Sequence, residues 1–422
     1  MRMLIKNIKG LVSTETTTRA IAVCGKEMDN LAVVDNAFLI VEDGVFKAFG
    51  AMSEMPLGEF ETTIDADGRF VLPSFCDSHT HIVFKGSREI EYIDKIKGLS
   101  YEQIAKRGGG ILNSADRLRE ATEEELYLEA RKRIEEMMDY GTGAVEIKSG
   151  YGLSTQSELK MLRVIRRLKA DCAVAIKATF LGAHAVPREY IGRQDAYVDL
   201  IIQEMLPAIA EENLADYVDV FCDEGFFTPE QTDRILFAAM GYGIVPKIHA
   251  NELDNSGGVE VGVKYNALSV DHLEFIGASQ IEALMASQTM PTILPGAAFF
   301  LNMRLSPARD MIAAGLPVAM ASDFNPGSSP SGNMQLILSM ACVNYRLTPF
   351  EAINATTLNT AYAMGISNTH GSIAVGKVAN FYITTKIPTI EYLPYYYGSN
   401  KVWRAFVNGV EHIKTSDNGN EQ

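Results

Sequence analysis

The chain has 422 residues, 47% of them apolar and 22% charged, the balance of a folded globular protein and not of a disordered one. Its 38 Lys and Arg against 53 Asp and Glu leave a net charge of −15, which excludes a broad nucleic-acid surface because phosphate binding needs clustered cations. No apolar run approaches the roughly 18 residues of a membrane span, and the opening Met1-Arg2-Met3-Leu4-Ile5-Lys6 lacks the apolar segment of a secretory signal. The five cysteines (Cys24, Cys76, Cys172, Cys222, Cys342) contain no CxxC pair. Neither a disulfide framework nor a zinc ribbon is expected, and a reducing, cytoplasmic setting is.

In chain order, residues 1–64 read as short β-type segments, with Phe38-Leu39-Ile40-Val41 and Val45-Phe46-Lys47-Ala48-Phe49 flanking the turn signal Glu42-Asp43-Gly44. The C-terminal part repeats the habit in Phe381-Tyr382-Ile383-Thr384 and in Val402–Val407, which leads into Asn408-Gly409. Each flank is too small for a comfortable core alone, so one composite β-sandwich domain is expected from 1–64 together with 374–422.

The middle, 65–373, has another rhythm. Apolar or β-branched runs recur at Phe70-Val71-Leu72, Ala144–Ile147, Val174–Thr179, Tyr217–Phe221, Ile244–Ile248, Ala267–Val270, Pro291–Leu294 and Val318–Ala321. Helix starts lie between them: Ser100-x-x-Gln103 and Thr155-x-x-Glu158 have the capping-box form, while Thr228-Pro229-Glu230-Gln231 and Thr348-Pro349-Phe350-Glu351 add Pro at the first helical position. Strands alternating with helices in this way predict an α/β fold, a (β/α)8 TIM-type barrel. The first two runs lie about 70 residues apart, and the others 23 to 43, so the excess, roughly 82–119, is expected to overhang the barrel mouth as a lid. Arg107-Gly108-Gly109-Gly110 in it reads as a flexible hinge, not a phosphate loop, because no GK[ST] follows.

Five of the seven histidines fall just past predicted strands. The strand ends carry His79-Thr80-His81, Lys148-Ser149-Gly150-Tyr151, Gly182-Ala183-His184, Asp223-Glu224, His249-Ala250-Asn251-Glu252, Asp271-His272, Pro295-Gly296 and Asp323-Phe324-Asn325-Pro326-Gly327-Ser328. His79 and His81, at i and i+2 on a strand, point the same way and form a ready chelate. His249 and Asp323 could complete a mononuclear His3Asp site for zinc or iron, with positions left open for water and substrate. Such a metal makes water nucleophilic near neutral pH. Asp323 could take the proton that water loses, His272 could hydrogen-bond the same water, and Glu252 could protonate a substrate nitrogen. Cys76 and Cys222 read as buried residues, not ligands.

This constellation resembles the metal-dependent amidohydrolase superfamily over nearly the whole chain, and its details are similar to the imidazolonepropionase family within it. The general marks are Ile64-Asp65-Ala66-x-Gly68 before His79-x-His81, then His249, His272, Asp323 and Gly371-Ser372-Ile373-x-x-Gly376-Lys377. The specific ones are Phe84-x-Gly86-Ser87-Arg88-Glu89, Gly108-Gly109-Gly110-Ile111, Lys148-Ser149-Gly150-Tyr151-Gly152-Leu153, Gly182-Ala183-His184 and Asp323-Phe324-Asn325-Pro326-Gly327-Ser328-Ser329. Ser74 and Asn380 depart from the pattern, where relatives mostly have Gly and many have Asp. The resemblance implies hydrolytic opening of 4-imidazolone-5-propanoate to N-formimidoyl-glutamate in histidine degradation. It implies one metal ion per chain on His79, His81, His249 and Asp323. Arg88, Tyr151, His184 and Glu252 would hold the imidazolone, and Asn325, Gly327 and Ser328 the carboxylate.

Rival readings differ in what they require. A deaminase-type amidohydrolase would share the metal ligands and Glu252 but would not need Arg88, and it would release ammonia. A binuclear hydrolase with a carbamylated lysine is disfavoured because the fourth run leads to Asp223-Glu224 and not to Lys. A barrel that has lost its metal would not keep every ligand position filled. The partner expected is a small carboxylate substrate, not nucleic acid or membrane, and a homodimer is an ordinary assembly for such a chain.

Overall fold

The computed structural model describes residues 1–15, 21–99 and 109–414. The start signal at Ser100–Gln103 and the Arg107-Gly108 half of the glycine run lie outside the described residues. Eight parallel strands follow one another around a barrel in chain order: Phe75–Thr80, Thr142–Lys148, Ala175–Ala183, Tyr217–Cys222, Ile248–Ala250, Ser269–His272, Met290–Ile293 and Ala319–Met320. The ring closes between the last and the first. His81 N–H donates to the Phe324 carbonyl at 2.9 Å and Asp323 N–H to the His79 carbonyl at 3.0 Å. Closure therefore runs through the residues expected to bind metal.

The first barrel strand corrects the sequence reading. Phe70-Val71-Leu72 belongs to the terminal sheet, where Phe70–Pro73 pairs in parallel with Arg2–Val12 and antiparallel with Phe381–Thr384. It is the seam that joins the N-terminal and C-terminal strands. The true first strand carries Asp77, Ser78, His79 and Thr80, all fully buried, and this polarity hid it from a search for apolar runs.

The terminal sheet runs Val410–His412, Val402–Val407, Phe381–Thr384, Phe70–Pro73, Arg2–Val12, Val33–Glu42 and Val45–Ala51, with Thr62–Asp65 beside Arg2–Val12. Its alternating apolar residues bury a core of their own, in which the Phe381 and Phe406 rings stack 4.5 Å apart. The helices between barrel strands begin largely as expected. Thr228 and Gln231 exchange capping bonds of 3.2 Å in both directions, and Thr348 with Glu351 does likewise at 3.2 and 2.8 Å. The Thr155–Glu158 pattern resolves differently: Ser154 is the N-cap, and the Glu158 side chain turns inward. Among the described residues no helix is long and apolar enough to cross a membrane.

Asn380, one of the two departures from the family pattern, clamps barrel to terminal sheet. Its amide donates to the Gly143 carbonyl at 3.0 Å, and its Oδ1 accepts from Asn408 N–H at 2.8 Å. Asn380→Ala leaves both groups without that partner, so a loss of about 1–3 kcal/mol is expected in urea unfolding, with turnover per folded molecule unchanged.

Candidate active site

The C-terminal ends of the barrel strands bring His79, His81, His249 and Asp323 together. The Nε2 atom of His79 lies 3.1 Å from that of His249 and 3.3 Å from that of His81. Asp323 Oδ1 lies 3.6 Å from Nε2 of both His79 and His81. Behind this cluster, His79 Nδ1 is 2.6 Å from Asp271 and His249 Nδ1 is 3.0 Å from Asp219. Both carboxylates accept, so each ring carries its proton on Nδ1 and turns the Nε2 lone pair inward.

Burial, the Lys148 ammonium and the neighbouring imidazoles hold His79 well below the usual histidine range, and burial with His184 and His249 does the same to His81. Lone pairs 3.1 to 3.3 Å apart, with no proton between them, repel unless a cation lies among them. The donor set therefore fits a transition metal. Two residues here hold unusual backbone conformations, Asp323 at φ +53° and His272 at φ +86°, the kind of local strain that folds concentrate at functional sites.

A cavity of about 670 Å³ opens over the cluster, and Arg88, Tyr151, His184, Glu252, His272, Asn325, Gly327 and Ser328 all line it. Arg88 arrives from the overhanging segment, where it precedes the helix Glu89–Ile96. Its Nε donates to Ser114 Oγ at 2.9 Å, and its Nη2 is buried with no partner among the described residues. The guanidinium lies so close to Gly327 that a Cβ there would collide with it. The described parts of the 82–119 segment thus do overhang the mouth, and Gly110, at φ +83°, opens the helix Ile111–Glu120.

Tyr151 is set by the loop after strand two. The Glu158 carboxylate accepts from the N–H groups of Gly150, Gly152 and Leu153 at 3.1, 2.7 and 2.9 Å. The Gly150 carbonyl lies 3.0 Å from His184 Nδ1, and the His184 ring stacks on His81 at 5.2 Å. Burial takes His184 down to about 3, so it is a neutral donor. On the other wall, Asp223 accepts from the N–H groups of Glu252, Leu253 and Asp254 at 2.7, 2.9 and 3.1 Å. Burial, with Asp323 and Asp223 nearby, pushes Glu252 up to about 8. His272 Nδ1 lies 3.6 Å from Glu252 and 3.9 Å from the buried Glu274. In the last loop, Asn325 Oδ1 accepts from Gly327 and Ser328 N–H at 2.8 Å each, and its amide donates to the Asp323 carbonyl at 2.7 Å. These three residues thus shape the loop through their own bonds, and Ser328 Oγ donates to Asp323 at 3.1 Å.

The amidohydrolase family model matches residues 70–411. An imidazolonepropionase of Christiangramia forsetii is 52% identical over 97% of this chain and 99% of its own. One from Alkaliphilus oremlandii is 41% identical over 94% of each chain. The chain belongs to the amidohydrolase family, within its imidazolonepropionase branch. Among solved structures, a zinc-bound atrazine chlorohydrolase of Arthrobacter aurescens superposes with a TM-score of 0.75 at 15% identity, covering 97% of this chain and 94% of that one. A 5-methylcytosine deaminase of Klebsiella pneumoniae gives 0.72 at 18%, covering 96% and 97%. These distant likenesses concern the fold alone.

This amidohydrolase holds residues that strand-end reading missed. Asp219 sits inside strand four and Glu146 inside strand two, while Lys247 precedes strand five. An isolated acid in the apolar run Tyr217–Phe221 was the available signal. Glu158 was read as a helix cap and is instead the anchor of the Tyr151 loop. Glu158→Ala leaves three buried N–H groups without their acceptor at about 1–3 kcal/mol each, so denaturant melts should show a loss of at least ~3 kcal/mol.

Proposed function

We propose that this hydrolase opens the ring of 4-imidazolone-5-propanoate to N-formimidoyl-L-glutamate, with His79, His81, His249 and Asp323 holding one zinc or iron ion. The observation that carries the reading is the pairing of a buried three-imidazole chelate with an Arg88 Nη2 that has no partner among the described residues, in the same cavity. When bound, the ion supplies Lewis acidity that activates water and polarises a carbonyl.

The chain's own residues do the rest. Arg88 takes the propionate carboxylate through its Nη2, which a carboxylate matches in charge and geometry. Tyr151 and His184 bound the ring on the strand-two side, and the Asn325–Ser328 loop closes the carboxylate end. Asp323 accepts a proton from the attacking water at its carboxylate, and Glu252, protonated near neutral pH, returns one to the ring nitrogen as the C–N bond breaks. His272, beside Glu252, orients the water. A deaminase would not need the Arg88 contact, and measuring ammonia against N-formimidoyl-glutamate separates the two reactions. We further propose a cytoplasmic homodimer, which light scattering of the purified protein tests.

Arg88→Met should weaken binding of the propionate substrate by about 1.5–3 kcal/mol, read as a rise in KM, and leave an imidazolone without the propionate nearly unaffected. Equal losses on both compounds would make Arg88 a structural residue. For Glu252, the acid form is the working one, so the alkaline side of the kcat profile should fall as pH rises through about 8. Glu252→Gln keeps size and hydrogen bonding but carries no proton, so kcat should fall about 10²- to 10⁴-fold with the alkaline limb abolished and metal retained. If more than about a tenth of turnover remains, proton delivery passes to His272.

A further inference from the structure

Beneath the histidine cluster lies a charge network that the proposed mechanism does not use. Glu146, Lys148, Asp219, Lys247 and Asp271 are all buried, at 1% exposure or less. Lys148 Nζ lies 2.6 Å from Glu146, 2.8 Å from Asp219 and 3.8 Å from Asp271. Asp219 in turn accepts from the His249 backbone N–H and faces its Nδ1, both at 3.0 Å, and Asp271 faces His79 Nδ1 at 2.6 Å. One ammonium on strand two thereby bonds the carboxylate of strand four and forms a longer ion pair with that of strand six, which also accepts from Ser269 Oγ at 2.5 Å; these carboxylates orient imidazoles of strands five and one. Lys247 differs. It pairs with Glu146 and donates to the carbonyls of Ser78 and Ala363 at 3.1 and 3.2 Å, with no hydrogen bond to either histidine-bound carboxylate among the described residues.

We propose that Lys148 is a positioning residue for the metal ligands: it fixes Asp219 and Asp271 so that His249 and His79 present Nε2 to the ion. The proposal rests on the reading of the histidine cluster as a metal site. The geometry favours such a brace, because two buried carboxylates on neighbouring sides of one cluster repel each other and a cation between them opposes that repulsion. Groups behind metal-bound histidines set ring orientation and tautomer, and losing one typically costs 10- to 100-fold in metal affinity. His81 provides an internal contrast. Its Nδ1 has no partner among the described residues, so its orientation does not pass through Lys148.

The test uses metal-loaded wild-type protein, Lys148→Met, Lys148→Gln and, as comparator, Lys247→Met. Metal release into excess EDTA, the thermal midpoint and the Nδ1–H resonances of 15N-histidine-labelled protein are measured on each. Both Lys148 variants should release metal about 10- to 100-fold faster. They should also broaden or lose the His79 and His249 Nδ1–H signals while the His81 resonances stay in place. Lys247→Met should lower the thermal midpoint but release metal within about threefold of wild type, well short of the 10- to 100-fold range. Release from the Lys148 variants within that threefold, or equally fast release from Lys247→Met, overturns the proposal. If Lys148→Met does not fold, Lys148→Gln decides; if neither folds while Lys247→Met does, Lys148 holds the core and the positioning role falls. Failure of the metal-site reading is seen separately, as unchanged metal content in His79→Ala.

Discussion

The pairing of His79 with Asp271 and of His249 with Asp219 is the constraint on which the rest of the site depends. A neutral imidazole has one lone pair to offer, and the proton on Nδ1 decides that it is Nε2. Taking Asp219 and Asp271 out of water is costly, so they in turn require a buried cation. Three acids against two ammonium groups leave this network one negative charge in excess, directly under the point where the Nε2 atoms converge. Such a network stabilises the fold poorly, but it selects one arrangement of the cluster and favours a cation within it.

Barrel closure serves the same end. The bonds from Asp323 N–H to His79 and from His81 N–H to Phe324 join strand eight to strand one through the residues proposed to hold the metal, so the geometry of the cluster and the integrity of the ring are not separable. The left-handed backbone at Asp323 lets its carboxylate turn back toward the histidines while Asn325 and Ser328 steady the loop that follows. Opposite, the Glu158 and Asp223 carboxylates each gather three or more backbone N–H groups and hold Tyr151 and Glu252 in place. In the proposed function, the overhanging segment contributes Arg88 to substrate recognition, whereas the chemistry lies at the strand ends. A site divided in this way can tune the carboxylate end without disturbing the metal.

Much of this was legible in the chain. Histidines are scarce, and their spacing at strand ends marks the mouth of a barrel, because those positions share one face. The HxH pair, His249 and Asp323 needed no tertiary information beyond strand order. What stayed hidden followed from burial of polarity. The first barrel strand is rich in Asp, Ser, His and Thr, so hydrophobic runs pointed to its neighbour Phe70–Pro73, whose own apolar character serves the terminal sheet. Lys148, Glu146, Asp219 and Lys247 satisfy one another across strands up to 101 residues apart, and no local pattern encodes such a partner. Glu158 has the form of a cap, and only the return of the preceding loop shows that it serves Gly150, Gly152 and Leu153.

The central claim is that the three imidazoles and Asp323 hold a catalytic metal. Metal content and imidazolone-propionate turnover, measured together on wild type and His81→Ala, test it most directly. The wild-type chain is expected to carry one zinc or iron ion. His81→Ala is expected to keep the wild-type circular dichroism spectrum while losing most of the metal and the activity. A near-wild-type rate from His81→Ala with no metal bound would contradict it.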